Sequence, residues 1–134
     1  MGKIFYRRNL AKIVADAFHF WDKKRIELIS YCIMPNHVHA VFRLYESNEL
    51  GKTQYLHEMM GTIKKYTARQ CNLILRRTEQ SFWQNETYDR LVRDRDELYR
   101  IISYILDNPV KAGLCESRSS WEWSYVKDEY NEFI

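Results

Sequence analysis

Little in this sequence bends, breaks or cross-links a chain. Four glycines and two prolines among 134 residues leave little room for flexible linkers, so residues 1–134 read as a single domain. The three cysteines, Cys32, Cys71 and Cys115, are odd in number and far apart. That argues against a disulfide framework and a cysteine-built zinc site, and a reducing cytoplasm is the simplest compartment. No apolar run approaches the ~18 residues that a membrane span needs, so no membrane partner is expected. No charged-then-apolar leader opens the chain. Phosphate-cradling glycine loops and a Ser-His-Asp order are missing as well, as are internal repeats and low-complexity tracts. The chain does have 46% hydrophobic and 15% aromatic residues, enough for a real core. Its net charge of +3 is compatible with nucleic acid and moves the odds little.

Apolar Leu10, Ile13, Val14, Ala17, Phe18 and Trp21 recur at helical spacing, which predicts a helix from Asn9, a candidate cap, to about Trp21. "RIELISYCIM", from Arg25 to Met34, reads as a strand. Pro35-Asn36 is a turn pair, and His37 to Leu44 is a second strand, closing an antiparallel hairpin. A long helix is predicted from about Thr53 to Arg76, with Leu56, Met59, Met60, Ile63, Thr67 and Ile74 as its apolar stripe. Lys65, Arg69 and Arg76 fall opposite. "SFWQNETYDRLV" looks extended. Asp94 or Asp96 caps a last helix that ends at Asn108, because Pro109 disfavours helical geometry before it. Gly113 marks a turn, and "WEWSYV" reads as a final short strand. This order predicts an α+β domain, an antiparallel sheet with helices packed on it.

Two of the four histidines stand on alternate positions of "YCIMPNHVHAVFRL". Residues two apart in a strand share a face, so His37, His39, Val41 and Arg43 lie together. Val38, Ala40, Phe42 and Leu44 form a uniformly apolar opposite face that should meet a core. Neutral imidazole is the commonest metal ligand near neutral pH, but two histidines make half a site. Taken alone, such a pair is more often two solvent-facing strand residues.

The last helix offers the other half. At about 100° per residue, Leu98, Ile101, Ile102, Ile105 and Leu106 form its core stripe, and Tyr104 lies roughly 130° from the stripe's centre. Asn108 sits one turn beyond, on the same side. A phenol and a neutral oxygen ligand beside two imidazoles suit Mg²⁺ or Mn²⁺ better than a soft metal. Taken alone, Tyr104 is a surface aromatic and Asn108 a helix cap. Tyrosine is a known covalent nucleophile, and a divalent cation can polarise a phosphodiester for in-line attack. The product would be a phosphotyrosine and a free hydroxyl on the departing strand.

"YCIMPNHVHAVF", "FWQNETYDRLVRDRDEL" and "YILDNPVKAGL", in this order, resemble the REP-associated tyrosine transposases, a single-tyrosine group of HUH (His–hydrophobe–His) endonucleases. The resemblance runs from about Leu10 to Leu114. It implies a ferredoxin-like antiparallel sheet with helices packed on it, and a prokaryotic cytoplasmic enzyme of DNA transposition. It implies His37 and His39 as metal ligands, Asn108 completing the site, and Tyr104 as the nucleophile that takes a 5′ phosphate of single-stranded DNA. Such proteins act on hairpin-forming strands beside palindromic repeats. They use Mg²⁺ or Mn²⁺ without a nucleotide cofactor, as monomers or as homodimers that exchange tyrosine helices. Relatives usually begin with a strand before the first helix, and "KIFYRR" is a poor substitute, so the sheet is expected to lack that first edge strand.

Single strands are held by cationic grooves and stacking aromatics. The candidate phosphate contacts are Arg43, Lys64, Lys65, Arg69, Arg90 and Arg93, with Arg95 nearby. Phe82, Trp83 and Tyr88 are candidate base platforms, although Phe82 and Trp83 suit a core better. Each cation taken singly reads as part of a solvated face. His19 reads as structural, and His57 has no evident partner. Two rivals stand beside the transposase reading. One is a hairpin-binding protein that keeps the fold without the chemistry. The other is a metal-dependent hydrolase using water, which would need a general base that the sequence does not place beside the histidines.

Overall fold

The computed structural model describes residues 7–77, 82–83 and 91–134. Its elements are α1 (Arg8–Trp21), β1 (Ile26–Met34), β2 (His37–Leu44), α2 (Leu56–Ile74), α3 (Arg95–Lys111) and β3 (Ser124–Val126). Short 3-10 turns occupy Arg118–Ser120 and Asp128–Phe133. The strands form one antiparallel sheet in the order β2-β1-β3. The architecture is α+β: among the described residues, helices pack against a three-stranded antiparallel sheet.

Both faces of the sheet are covered, and the register decides what each face meets. On β2, Val38, Ala40, Phe42 and Leu44 pack toward the core built from Leu10, Val14 and Phe18 of α1 and Met59 and Ile63 of α2. Val41 packs the other way, with Ile102, Ile105 and Leu106 of α3. The histidine face is therefore the α3 face. A bulge in β1 keeps this sorting intact. Leu28 pairs with Phe42 and Ser30 with Val41, so Ile29 is the extra residue. The bulge shifts the alternation by one residue. It lets Ile26, Leu28, Tyr31 and Ile33 face α1 and α2, while Ile29, Cys32 and Met34 face α3.

Four boundaries differ from the sequence expectation. Asn9 does not cap α1; the helix begins at Arg8, and its N-cap position, Arg7, makes no side-chain cap bond. Thr53 bridges to Ser47 rather than starting α2. The next residue, Gln54, is buried and its amide donates to the carbonyls of Arg25 and Tyr45, so the helix starts only at Leu56. α3 is capped by Asp94, whose Oδ1 accepts from the Glu97 amide at 2.8 Å, and it passes through Pro109 to Lys111.

Pro109 is tolerated because it stands in the last turn, which Gly113 closes. Gly113 has φ 74°; its N–H donates to Val110, and that of Leu114 to Pro109. This αL closure satisfies carbonyls that a proline-broken helix would leave open. The fourth difference concerns "SFWQNETYDRLV". Phe82, Trp83 and residues 91–93 carry no strand, and the remaining residues of that stretch lie outside those described, as do Lys3 to Tyr6 of "KIFYRR". Among the described residues no strand precedes α1.

The third strand comes from "WEWSYV". Its Ser124–Val126 pairs with β1, the Trp121 indole donates to the Ile33 carbonyl at 3.1 Å, and Tyr125 stacks on Tyr31 at 5.3 Å. Tyr130 and Phe133 then pack against the α3 core.

Candidate active site

The two-residue Pro35-Asn36 turn starts β2 at His37, and strand alternation sets His37 and His39 on one face. Their rings meet edge to face, with centroids 4.8 Å apart. His37 is exposed and His39 half-buried. Partial burial holds the His37 imidazole below its usual pKa, and burial together with the neighbouring His37 does the same for His39. Both rings are therefore neutral near pH 7 and keep a lone pair. Asn36 Oδ1 lies 2.7 Å from His37 Nδ1. An amide oxygen only accepts, so the ring donates from Nδ1 and Nε2 holds the lone pair.

α3 brings the second component. Its apolar stripe is buried at Ile102, Ile105 and Leu106, which turns Tyr104 outward at 54% exposure. The Tyr104 ring still meets His39, at 5.6 Å between centroids and nearly perpendicular. Histidine pair and tyrosine, distant in sequence, thus converge within one chain. Asn108 follows one turn later on the same side of α3. Its Nδ2 is buried and, among the described residues, has no hydrogen-bond partner. The two ends of an amide are near-isosteric, and turning this one over puts Oδ1 in the same position.

Cys32 pairs with His39 across the sheet, but burial pushes its thiol up to about 11, so it supplies no thiolate. Among the described residues no cluster of three His, Cys, Asp or Glu could hold a metal. The site offers two neutral imidazoles, to which α3 could add the Asn108 amide oxygen. That set fits a hard or borderline divalent cation that keeps other ligand positions for water or phosphate.

The predicted phosphate contacts are scattered. Arg43 shares the histidine face but pairs with Glu27 at 2.9 Å and lies over Tyr45. Glu27 is held below the usual carboxylate range by its hydrogen bond to Lys127 and then by Arg43. Arg93 donates twice, at 3.0 and 3.1 Å, to Glu97, which is buried. Lys65 and Arg69 are exposed, on a helix that packs against the opposite sheet face, and Lys64 belongs to that helix too. Arg90 and Tyr88 lie outside the described residues. Arg95 is exposed in the first turn of α3.

Phe82 is core and offers no stacking face, while Trp83 is half-buried against the α1–α2 core with its indole donating to buried Thr67 at 3.0 Å. His19 is structural, 3.0 Å from the Tyr31 hydroxyl. His57 lies against Tyr55. Sequence reasoning missed Asn36, although its place directly before the pair was a signal. It also missed an open groove of about 460 Å³ beside Tyr104, lined in part by Arg100 and Lys111.

This fold and this site fit the tyrosine-transposase class: a strand-borne histidine pair and a helix-borne tyrosine meet on one face of an antiparallel sheet. The chain belongs to the family described as Transposase IS200 like, whose model matches residues 3–108, a span that includes His37, His39, Tyr104 and Asn108. It is 27% identical over 105 residues to a Haemophilus influenzae protein provisionally named a REP-associated tyrosine transposase, covering 73% of this chain and 57% of that one. It is 24% identical over 98 residues to the REP-associated tyrosine transposase of Escherichia coli, covering 73% and 53%. The solved structure of a REP-associated tyrosine transposase bound to a REP hairpin superposes with a TM-score of 0.66 at 23% identity, over 84% of this chain and 62% of that one. The chain thus spans between about half and three fifths of the relatives it matches. Among the described residues no helix is long and apolar enough to cross a membrane.

Proposed function

We propose that this chain cleaves and rejoins single-stranded DNA, beside a hairpin of palindromic repeats, through a 5′-phosphotyrosine on Tyr104. The observation that carries the reading is the contact between the Tyr104 and His39 rings, which sets a phenol beside a neutral imidazole pair within one subunit. That arrangement favours attack in cis. The solved relative's hairpin supports the choice of nucleic acid.

The chemistry follows from the groups present. The Tyr104 oxygen forms a bond to phosphorus as the bond from phosphorus to the departing O3′ breaks. The phenol loses a proton and the O3′ gains one. One phosphodiester becomes another, so the step needs no nucleotide cofactor and is reversible, as strand transfer requires. An ordinary phenol, with a pKa near 10, is a weak nucleophile, so the phosphate must be made a better target. Mg²⁺ or Mn²⁺ held by His37, His39 and Asn108 would supply that polarisation. Asn36 fixes the tautomer of His37, and Ile102, Ile105 and Leu106 anchor the helix that aims Tyr104.

The test is a labelled hairpin oligonucleotide with a single-stranded tail, incubated with Mn²⁺. A covalent adduct that disappears in Tyr104→Phe supports the proposal. Binding without cleavage points to a hairpin-binding protein that has lost the chemistry. Cleavage without an adduct points to water as the nucleophile. Either of these two outcomes defeats the tyrosyl reading.

A further inference from the structure

The groove beside Tyr104 runs along the solvent side of α3. Arg100, Tyr104 and Lys111 stand at spacings of four and seven residues. At about 100° per residue they fall within an arc of about 40°, so they form one stripe. At 1.5 Å rise per residue, Arg100 lies about 6 Å before Tyr104 along the axis and Lys111 about 10 Å beyond it. Both cations are exposed, and among the described residues neither forms an ion pair. Among the described residues, Asp107 is the single carboxylate lining this groove. The Arg118 guanidinium donates to it from Nε at 2.7 Å and, with a smaller contribution from nearby Lys111, holds it below the usual carboxylate range. The groove is therefore cationic on both sides of the tyrosine. Phe133 lies against Tyr99 in its wall, with centroids 5.3 Å apart. Arg118 also donates to the Phe133 carbonyl, which ties the tail into that wall.

We infer that this groove is the track of the reacting strand, with Arg100 and Lys111 binding the phosphates on either side of the one that Tyr104 attacks. The inference deepens the tyrosyl reading and rests on it. Three features argue for a single strand as occupant. The cations are spaced along a line rather than clustered. The one carboxylate lining the groove, among the described residues, is already paired with Arg118. The stripe is continuous with the candidate nucleophile. It also answers why the cations singled out in the sequence cluster poorly around the site: Arg43 and Arg93 are engaged with Glu27 and Glu97, and Lys65 and Arg69 belong to the other sheet face.

The experiment measures binding of a fluorescent hairpin oligonucleotide with a single-stranded tail by anisotropy across a salt series, alongside adduct formation with Mn²⁺. Each phosphate contact to a single strand contributes about 0.7 to the slope of log K against log salt. The Arg100→Ala, Lys111→Ala double variant should lower that slope by about 1.4, and Arg100→Gln alone by about 0.7. Tyr104→Phe should lose the adduct and keep the slope. Circular dichroism melts confirm that the variants fold, and the conservative Arg100→Gln keeps the test open if the double variant does not. A wild type that forms the adduct while the variants retain its full slope overturns the groove and spares the tyrosyl mechanism. A wild type that neither binds nor reacts overturns both.

Discussion

Replacing Arg93 with methionine separates a structural strut from a DNA contact. Arg93 lies just before α3 and was a phosphate candidate by sequence. In the fold its guanidinium makes two hydrogen bonds to Glu97 Oε2. The Glu97 side chain is 2% exposed, whereas that of Arg93 is 77% exposed. Stripping the partner from a buried carboxylate costs about 3–5 kcal/mol. Solvent screening of the exposed guanidinium reduces that figure here.

About 2 kcal/mol remains, which in a domain of this size lowers the melting temperature by about 6 °C. Calorimetry or urea unfolding reads it directly. In a Glu97→Gln background the same Arg93→Met change should cost under about 0.5 kcal/mol, because no charge is left to strand. The slope of DNA binding against salt should stay at its wild-type value. A full-stability Arg93→Met protein whose salt slope falls by about 0.7 would refute the reasoning and return Arg93 to the DNA surface.

Three further outcomes follow from the geometry. Arg76 closes α2 with φ 56°, in the same two-bond pattern that Gly113 gives α3, its N–H donating to Leu73 and that of Arg77 to Asn72. Arg76→Gly should therefore stabilise the chain by about 0.5–1 kcal/mol, read as a higher denaturant midpoint, because glycine adopts that conformation without a Cβ penalty. Asn36→Ala removes the acceptor that holds the His37 tautomer, and Mn²⁺ affinity measured by titration calorimetry should drop about tenfold, with the melting temperature nearly unchanged. The folded pKa values of His37 and His39 lie below the ordinary 6.5, chiefly through burial. Between those folded values and 6.5 the unfolded chain holds more protons, so stability rises with pH across that window and is lost on acidification. Adduct yield should fall in the same direction as the rings protonate; a yield that climbs on going from pH 7 to 5 contradicts the ligand assignment.

The two strands and three helices were legible because each obeys its own period. β2 runs from His37 to Leu44 as its alternation required, and α3 buries the stripe that its 3.6-residue repeat predicted. Tyr104 was legible as an outlier from that stripe, and Asp94 as one of two candidate caps. The third strand was half-legible: "WEWSYV" alternates, but nothing local says that it completes the sheet while the extended-looking stretch before α3 does not. The β1 bulge was hidden because both registers of that strand bury apolar side chains.

By itself, then, the sequence determined the local elements, the facing of the histidine pair and the outward turn of the tyrosine, since all of these depend on spacing along a single element. Only the tertiary structure decided that α3 lies over the histidine face, with α1 and α2 on the other. Only it engaged Arg43 and Arg93 with carboxylates and left Arg100 and Lys111 in line with Tyr104. Those outcomes depend on which apolar surfaces bury one another and which charges then fall within reach, and such pairings join residues whose distance along the chain carries no record of their distance in space.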